Sequence, residues 1–232
     1  MSNTKFTYLD MIIHEMNSPI HAISLLSNVM LMDKGIQGKE DYIRNLECIH
    51  DSAEKLVRIV NLLSTITNLK SDKVHIQPHE LDLIELVKQE TKEYQVRNKT
   101  NFNIRIVLNN KIANCTARVD GFWFKQLLSN LIMNAVNHCE KGLIEVRTDK
   151  VKKGEINYFC LSVSDEGCGI PEKELETIFK PMKRGSHSLK NNIPGSGIGL
   201  AIAHEIIEAH GGSIRALNNP KGGATFDVLI PL

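Results

Sequence analysis

Apolar side chains recur every three or four residues through the first part of the chain. Between residues 8 and 31 they fall at Leu9, Ile12, Ile13, Met16, Ile20, Ile23, Leu26 and Met30, the spacing of a helix with one buried stripe. Lys34 and Gly35 read as a stop, and Gly38 as a second break. From residue 40 the steps alternate between four and three at Tyr42, Leu46, Ile49, Ala53, Leu56, Val60, Leu63 and Thr67, which is a heptad seam. Ile43, Val57, Ile59 and Ile66 widen the stripe beyond what one partner helix would cover. A hairpin of two such helices cannot bury both stripes by itself. A second copy would complete a four-helix bundle, so a homodimer through residues 1–70 is expected. The alternative is a hairpin packed on the rest of its own chain.

The pattern changes near Ser71. "SDKVHIQPHELD" is polar and contains Pro78, and residues 71–80 read as a linker running into a short strand. Asp82 and Glu85 fit a capping box that opens a helix to about Arg97. "NFNIRIVL" and "CTARVD" predict strands, and residues 122–139 a helix. "LIEVRTD" and "NYFCLSVSD" predict further strands, and 172–180 a short helix. A glycine-rich loop then leads into a helix over 197–210, and "GSIRAL" and "ATFDVLIPL" close as strands. The fold class is α+β: a helical hairpin forming a dimeric four-helix bundle, then an α/β sandwich over 81–232, a mixed sheet with helices on one face.

Composition narrows the function classes. Over 232 residues, 42% hydrophobic and 24% charged residues are ordinary for a soluble globular protein. A formal net charge of +1 gives no electrostatic case for nucleic acid or an anionic membrane as the main partner. Five cysteines, Cys48, Cys115, Cys139, Cys160 and Cys168, form no C-x-x-C pair and read as free thiols in a reducing compartment. The most apolar run, residues 8 to 32, is interrupted by Asp10, His14, Glu15, Asn17 and His21, too polar for a bilayer core. No signal peptide opens the chain, so a cytoplasmic protein without membrane contact in this chain is expected.

Candidate chemistry is concentrated in the second domain. In "QLLSNLIMNAVNH", Asn130 and Asn134 are four apart and share a helix face. They are either a structural amide network or oxygen ligands for a hard cation such as Mg²⁺. In "DEGCGIP", Gly167 and Gly169 let backbone pass close to a flat ligand, and Asp165 is an acceptor that suits an adenine amino group. In "GSGIGLAIAHEIIEAHGG" the glycines precede a helix whose N-terminus favours anions. The preceding "KRGSHSLKNNIP" is long for a compact domain and reads as a mobile lid. Far upstream, "HEMNSP" places His14, Glu15 and Pro19 in a helix interior, although proline there costs ~3 kcal/mol.

Singly these signals are modest, but their order is specific. N-x-x-x-N, D-x-G-x-G, F-x-P, G-x-G-x-G and G-G-x-T-F resemble the N, first glycine, F, second glycine and third glycine boxes of sensor histidine kinases. "HEMNSP" is similar to the family's H box on the first helix of a dimerisation and phosphotransfer bundle. The resemblance covers essentially the whole chain. It implies that His14 is the phosphoacceptor, with Pro19 breaking the helix locally beside it. It implies that ATP and Mg²⁺ bind between sheet and lid. Asp165 would accept from adenine while Gly167 and Gly169 admit the base, and Thr225 matches a family threonine near the adenine. Asn134 would hold Mg²⁺, and Asn130 and His138 would support the phosphates. Gly195, Gly197, Gly199 and Leu200 would line the phosphate chain, with Arg184 offering charge to the γ-phosphate. Glu15 would take or orient the proton on the far ring nitrogen of His14, and Ser18 would place a water for the reverse, phosphatase reaction.

The implied partners are a response-regulator receiver domain, whose aspartate takes the phosphoryl group, and a sensor region upstream or on an accessory protein. The related gyrases and mismatch-repair ATPases carry E-x-x-x-N, whose glutamate activates the hydrolytic water. This chain has Asn130 there, and an amide is no general base, which favours transfer over hydrolysis. His21, one heptad after His14, is a rival acceptor without an acidic neighbour. Asn137 and Met182 depart from the family, standing where a basic residue and an aromatic are common. The alternative functions are a phosphotransfer adaptor or pseudokinase, or a response-regulator phosphatase that binds ATP without autophosphorylating.

Overall fold

In the computed structural model the chain divides into two compact units, Met1–Val74 and His75–Leu232. The structure describes residues 3–32, 38–69, 76–98, 103–180, 183–191, 193, 197, 199–220 and 222–232. At 3–15, 54, 55, 57, 58, 61–69 and 97 the backbone alone is described.

The first unit is a pair of packed helices, α1 (Asn3–Leu31) and α2 (Lys39–Leu69). The expected break at Pro19 is corrected: α1 runs through it, and the proline is buried. Proline removes one backbone donor, but propagation supplies one bond per residue on either side, so a 29-residue helix survives the single loss. Ile59 is buried, while Ile20, Leu25, Leu31, Tyr42, Ile43, Leu46 and Val60 stay exposed, so each helix keeps uncovered apolar positions. The stop at Lys34 and Gly35 lies outside the described residues.

The second unit holds two sheets. β1 (His79–Asp82) pairs antiparallel with β3 (Thr116–Val119). The main sheet has five strands in the order β2-β4-β5-β7-β6, made by β2 (Ile104–Asn110), β4 (Gly142–Lys153), β5 (Ile156–Asp165), β6 (Ser213–Asn218) and β7 (Ala224–Pro231). β2 runs parallel to β4 and the other pairs are antiparallel. The helices α3 (Leu83–Arg97), α4 (Gly121–His138) and α6 (Gly199–Ala209) pack on the sheet. Alternation along the strands buries Ile144, Val146, Phe159, Leu161, Val163, Phe226 and Val228 on one face, which meets Leu127, Leu128, Leu131, Ala203 and Ile207 of the helices.

Aspartates open two of the helices. Asp82 accepts from Ile84 N and Glu85 N at the start of α3, and Asp120 from Phe122 N and Trp123 N at the start of α4. The second half of the expected capping box is not used in that way, because Glu85 accepts from Gln89 Nε2. The helix expected over 172–180 is only a 3-10 turn, Glu172–Glu174, followed by turns, in a stretch bracketed by Pro171 and Pro181. The loop expected as a lid contains a short helix, α5 (Ser186–Lys190).

Candidate nucleotide site

Asp165 is the last residue of β5 and continues its inward-facing row, 3% exposed. Its Oδ1 accepts from Gly167 N at 2.8 Å and Ala224 N at 3.2 Å. Burial pushes this carboxyl above the usual carboxylate range, and the two N–H bonds pull it partly back. Close approach explains the glycines around it. A Cβ on Gly167 would lie 2.2 Å from His138 O and 2.8 Å from Asp165 Oδ1, and one on Gly223 would lie 2.0 Å from Asp165 O. Gly169 has φ +70°, and a Cβ there would come within 3.0 Å of Asn218 Oδ1. The D-x-G-x-G turn thus packs backbone to backbone against the end of α4 and the β6–β7 turn.

His138 ends α4 and is half-buried. Burial, foremost, pushes its imidazole below the usual histidine range, with the charges of His187 and Arg184 acting in the same direction. Arg184 and the α5 residue His187 therefore gather electrostatically at His138. The Arg184 guanidinium donates to Ile193 O.

One and two turns earlier on α4 stand Asn134 and Asn130, both half-buried. Asn130 Oδ1 accepts from Gln126 Nε2 at 3.2 Å, whereas its Nδ2 is buried with no partner among the described residues. Gly199, the first residue of α6, is close enough that a Cβ would lie 3.8 Å from Asn130 Cγ and Oδ1. Gly197 has φ +70°, Leu200 is half-buried in the first turn of α6, and Gly195 lies outside the described residues.

The structure brings Asp165, Gly167, Gly169 and His138 together, joins Arg184 to His138, and joins Gly199 to Asn130. Thr225 does not belong with Asp165. It pairs with Ser164 across the β5–β7 ladder and so faces the opposite side of the sheet, where Oγ1 lies 3.0 Å from Ser164 Oγ and donates to Asn219 Oδ1. Ala224, through its N–H, is the β7 residue that touches the Asp165 carboxylate. In the other unit, His14 and Glu15 lie on α1 where the backbone alone is described, and Ser18 and His21 are exposed. The residues sequence reasoning passed over are Asn218, Asn219 and His187. The Asn-Asn-Pro run ahead of the glycine pair was the available signal for the first two.

The second unit is thus a mixed five-stranded sheet under α3, α4 and α6, with paired asparagines on α4 and a buried aspartate ending β5. Residues 119–232 match the family described as histidine kinase-, DNA gyrase B-, and HSP90-like ATPase. The chain is also similar, 28% identical over 234 residues, to the circadian input-output histidine kinase CikA of Synechococcus elongatus, covering 98% of this chain and 30% of that protein. Among solved structures, the histidine kinase AdeS of Acinetobacter baumannii superposes with a TM-score of 0.70 at 22% identity, covering 94% of this chain and 97% of the other. Histidine kinase ThkA in complex with response regulator protein TrrA gives 0.68 at 24% identity, covering 98% and 61%. The chain is thus a relative of the sensor histidine kinases. It spans 30% or less of the length of the curated relatives it matches. Among the described residues no helix is long and apolar enough to cross a membrane.

Proposed function

We propose that this chain is the core of an ATP-dependent protein-histidine kinase, in which His14 is phosphorylated and then passes its phosphoryl group to an aspartate of a response-regulator receiver domain. The observation that carries the reading is the amide nitrogen of Asn130, buried without a partner among the described residues, close to Gly199 at the start of α6. A buried polar group without a partner costs about 1–3 kcal/mol, and a ligand at this end of the site would remove that cost. Asp165, held from two sides at the other end, suits the amino group of adenine.

The residues also fit a magnesium ion. Among the described residues no cluster of three or more His, Cys, Asp or Glu could hold a metal, so a cation here relies on amide and phosphate oxygens. Asn134 would hold Mg²⁺, which would neutralise charge on the phosphates, and Asn130 would support those phosphates. His138 and Arg184 face the same region and would support the phosphate chain, with the first turn of α6 offering its N–H groups.

In the reaction, an imidazole nitrogen of neutral His14 attacks the γ-phosphorus. The N–P bond forms as the bond from that phosphorus to the departing ADP oxygen breaks. Glu15 takes or orients the proton on the other ring nitrogen, and Ser18, one turn on, places a water for the reverse reaction. The chain supplies mainly positioning and charge neutralisation. The apolar positions left exposed on α1 and α2 support a homodimer through residues 1–70. The similarity to ThkA, whose structure was solved in complex with response regulator protein TrrA, supports a receiver domain as partner.

Incubation with γ-labelled ATP and Mg²⁺ tests the proposal on wild type, His14→Ala, His21→Ala and Asn134→Ala. Acid-labile, base-stable label is expected in wild type and His21→Ala and absent from the other two. ATP binding without any label would turn the reading to a phosphotransfer adaptor or a receiver phosphatase.

A further inference from the structure

The β5–β7 ladder ends at the pair Ser164 and Thr225, one residue short of the groups that define the purine end of the site. Beyond that pair the two strands have no further β5–β7 partners: Asp165 pairs with Ile144 of β4, and Ala224 with Asn218 of β6. The separation of Asp165 and Ala224 matters, because the Ala224 N–H reaches Asp165 Oδ1 at 3.2 Å, the longer of the two bonds that orient the carboxylate.

A side chain from the β6–β7 turn spans this gap from the other face of the sheet. Asn219 Nδ2 lies 2.9 Å from Asp165 O, 3.1 Å from Ala224 O and 2.9 Å from Ser164 Oγ, donating to the carbonyls of both residues in question. Asn219 is itself held. Its Oδ1 accepts from the Thr225 hydroxyl, its N–H donates to Gly223 O at 3.0 Å, and its carbonyl accepts from Gly222 N at 3.0 Å. The neighbouring Asn218 does separate work: its amide exchanges two hydrogen bonds with the backbone of Ile170, at 2.8 and 2.7 Å, at the far end of the glycine turn.

We infer that Asn219 is a positioning residue for purine recognition: it ties the ends of β5 and β7 together and so directs the Asp165 carboxylate at the amino group of the base. Both Oδ1 bonds then stay formed, and Oδ2 is the oxygen presented to ligand. The inference rests on the reading of Asp165 as the acceptor of the adenine amino group. Its signature is selective, because loss of Asn219 weakens the interaction with that amino group and leaves the rest of the nucleotide contact alone.

The test measures binding of ATP and of purine riboside triphosphate, which lacks the 6-amino group, by calorimetry on the full chain. A charge-assisted hydrogen bond predicts that wild type prefers ATP on the order of tenfold to a hundredfold. Asn219→Ala is expected to cut that preference about tenfold with the affinity for the analogue unchanged. Thr225→Val keeps the amide and a strand-favouring side chain but removes the hydroxyl that orients it. It is expected to cut the preference about threefold, and it decides the matter where Asn219→Ala fails to fold. Equal weakening of both nucleotides, or an unchanged preference in the variants, overturns the inference. A wild type that binds both nucleotides equally overturns the adenine reading of Asp165 and the inference with it.

Discussion

The two ends of the proposed nucleotide site are built on opposite plans. At the purine end, polar groups of the turn meet protein partners: Asp165 Oδ1 has two N–H donors, its carbonyl has Asn219, and Ile170 is clasped by Asn218. At the other end, Asn130 Nδ2 is buried with nothing to donate to among the described residues, and the side chains that act on the His138 imidazole, His187 and Arg184, are both basic types. One end is organised before ligand arrives and selects by geometry. The other carries a deficit that a polyphosphate with its cation would remove. Preorganisation at the base and deficit at the phosphates divide specificity from affinity.

The sharpest way to break this division is to spoil the geometry at the purine end. In Gly167→Ala the new methyl meets a backbone carbonyl, His138 O, rather than a flexible side-chain tip. The turn has to move away from α4, with an overpacking cost of about 1–3 kcal/mol. Binding of ATP is expected to fall a hundredfold or more, and melting of the apo protein to drop, by calorimetry and thermal denaturation respectively. Unchanged ATP affinity would show that the close approach at Gly167 does not shape the site.

A pair of substitutions then compares the two ends directly. Asp165→Asn keeps an oxygen for the N–H groups of Gly167 and Ala224 but removes a charge that burial disfavours. ATP affinity is expected to fall about tenfold to a hundredfold, the worth of a charged hydrogen bond, while apo stability holds or rises. Asn130→Leu removes a buried donor that has no partner among the described residues, at the cost of the bond its Oδ1 accepts from Gln126, so apo stability is expected to hold or rise while Mg²⁺-ATP binding is lost. If Asn130→Leu instead lowers the melting temperature, the amide is partnered in solution and the contrast between the ends fails.

The same contrast marks what could be read from residue order. Period-two and period-3.6 patterns located α3, α4, α6 and the main strands because those elements bury one face, and burial leaves a periodic trace. Glycine positions in D-x-G-x-G were legible because close backbone approach excludes every other residue, as at Gly167. The helix α5 was not legible, since five residues hold too little periodicity to stand out in a polar loop. Thr225 was assigned to the base by motif. Strand parity, fixed only once Ser164 pairs with Thr225, puts it on the opposite face. Asn219 was missed because its partners lie on β5 and β7, more than fifty residues away in the case of Asp165, and no local pattern reports such a contact. Pro19 misled in the other direction, since a local penalty was read as a break that a long helix tolerates.

The smallest expected effect is the most specific to the contrast, because pH acts on the two ends with opposite sign. The Asp165 carboxyl is raised above its ordinary value by burial, so it gains a proton earlier than an exposed aspartate as pH falls. Recognition of the adenine amino group, which needs the carboxylate, is then lost. The His138 imidazole is lowered by burial and by neighbouring charge, so it is neutral at pH 7 and gains a proton only below the usual histidine range, which strengthens its hold on phosphate. Adenosine binding is therefore expected to weaken as pH falls through the raised value of the Asp165 carboxyl, and binding of inorganic triphosphate to strengthen as pH falls below the usual histidine range. Stability follows the same signs. Protons taken up by native Asp165 before the unfolded chain takes them stabilise the fold as pH falls through the raised value. Protons that the unfolded chain takes at His138 before the native one does destabilise it as pH falls below the ordinary histidine value. Melting curves of wild type, Asp165→Asn and His138→Asn between pH 4 and 8 separate the two: the first variant loses the acid-side gain, and the second loses the acid-side cost. If adenosine and triphosphate affinities move in the same direction with pH, the two ends are not titrating independently, and the division between a preorganised base end and an unsatisfied phosphate end does not hold.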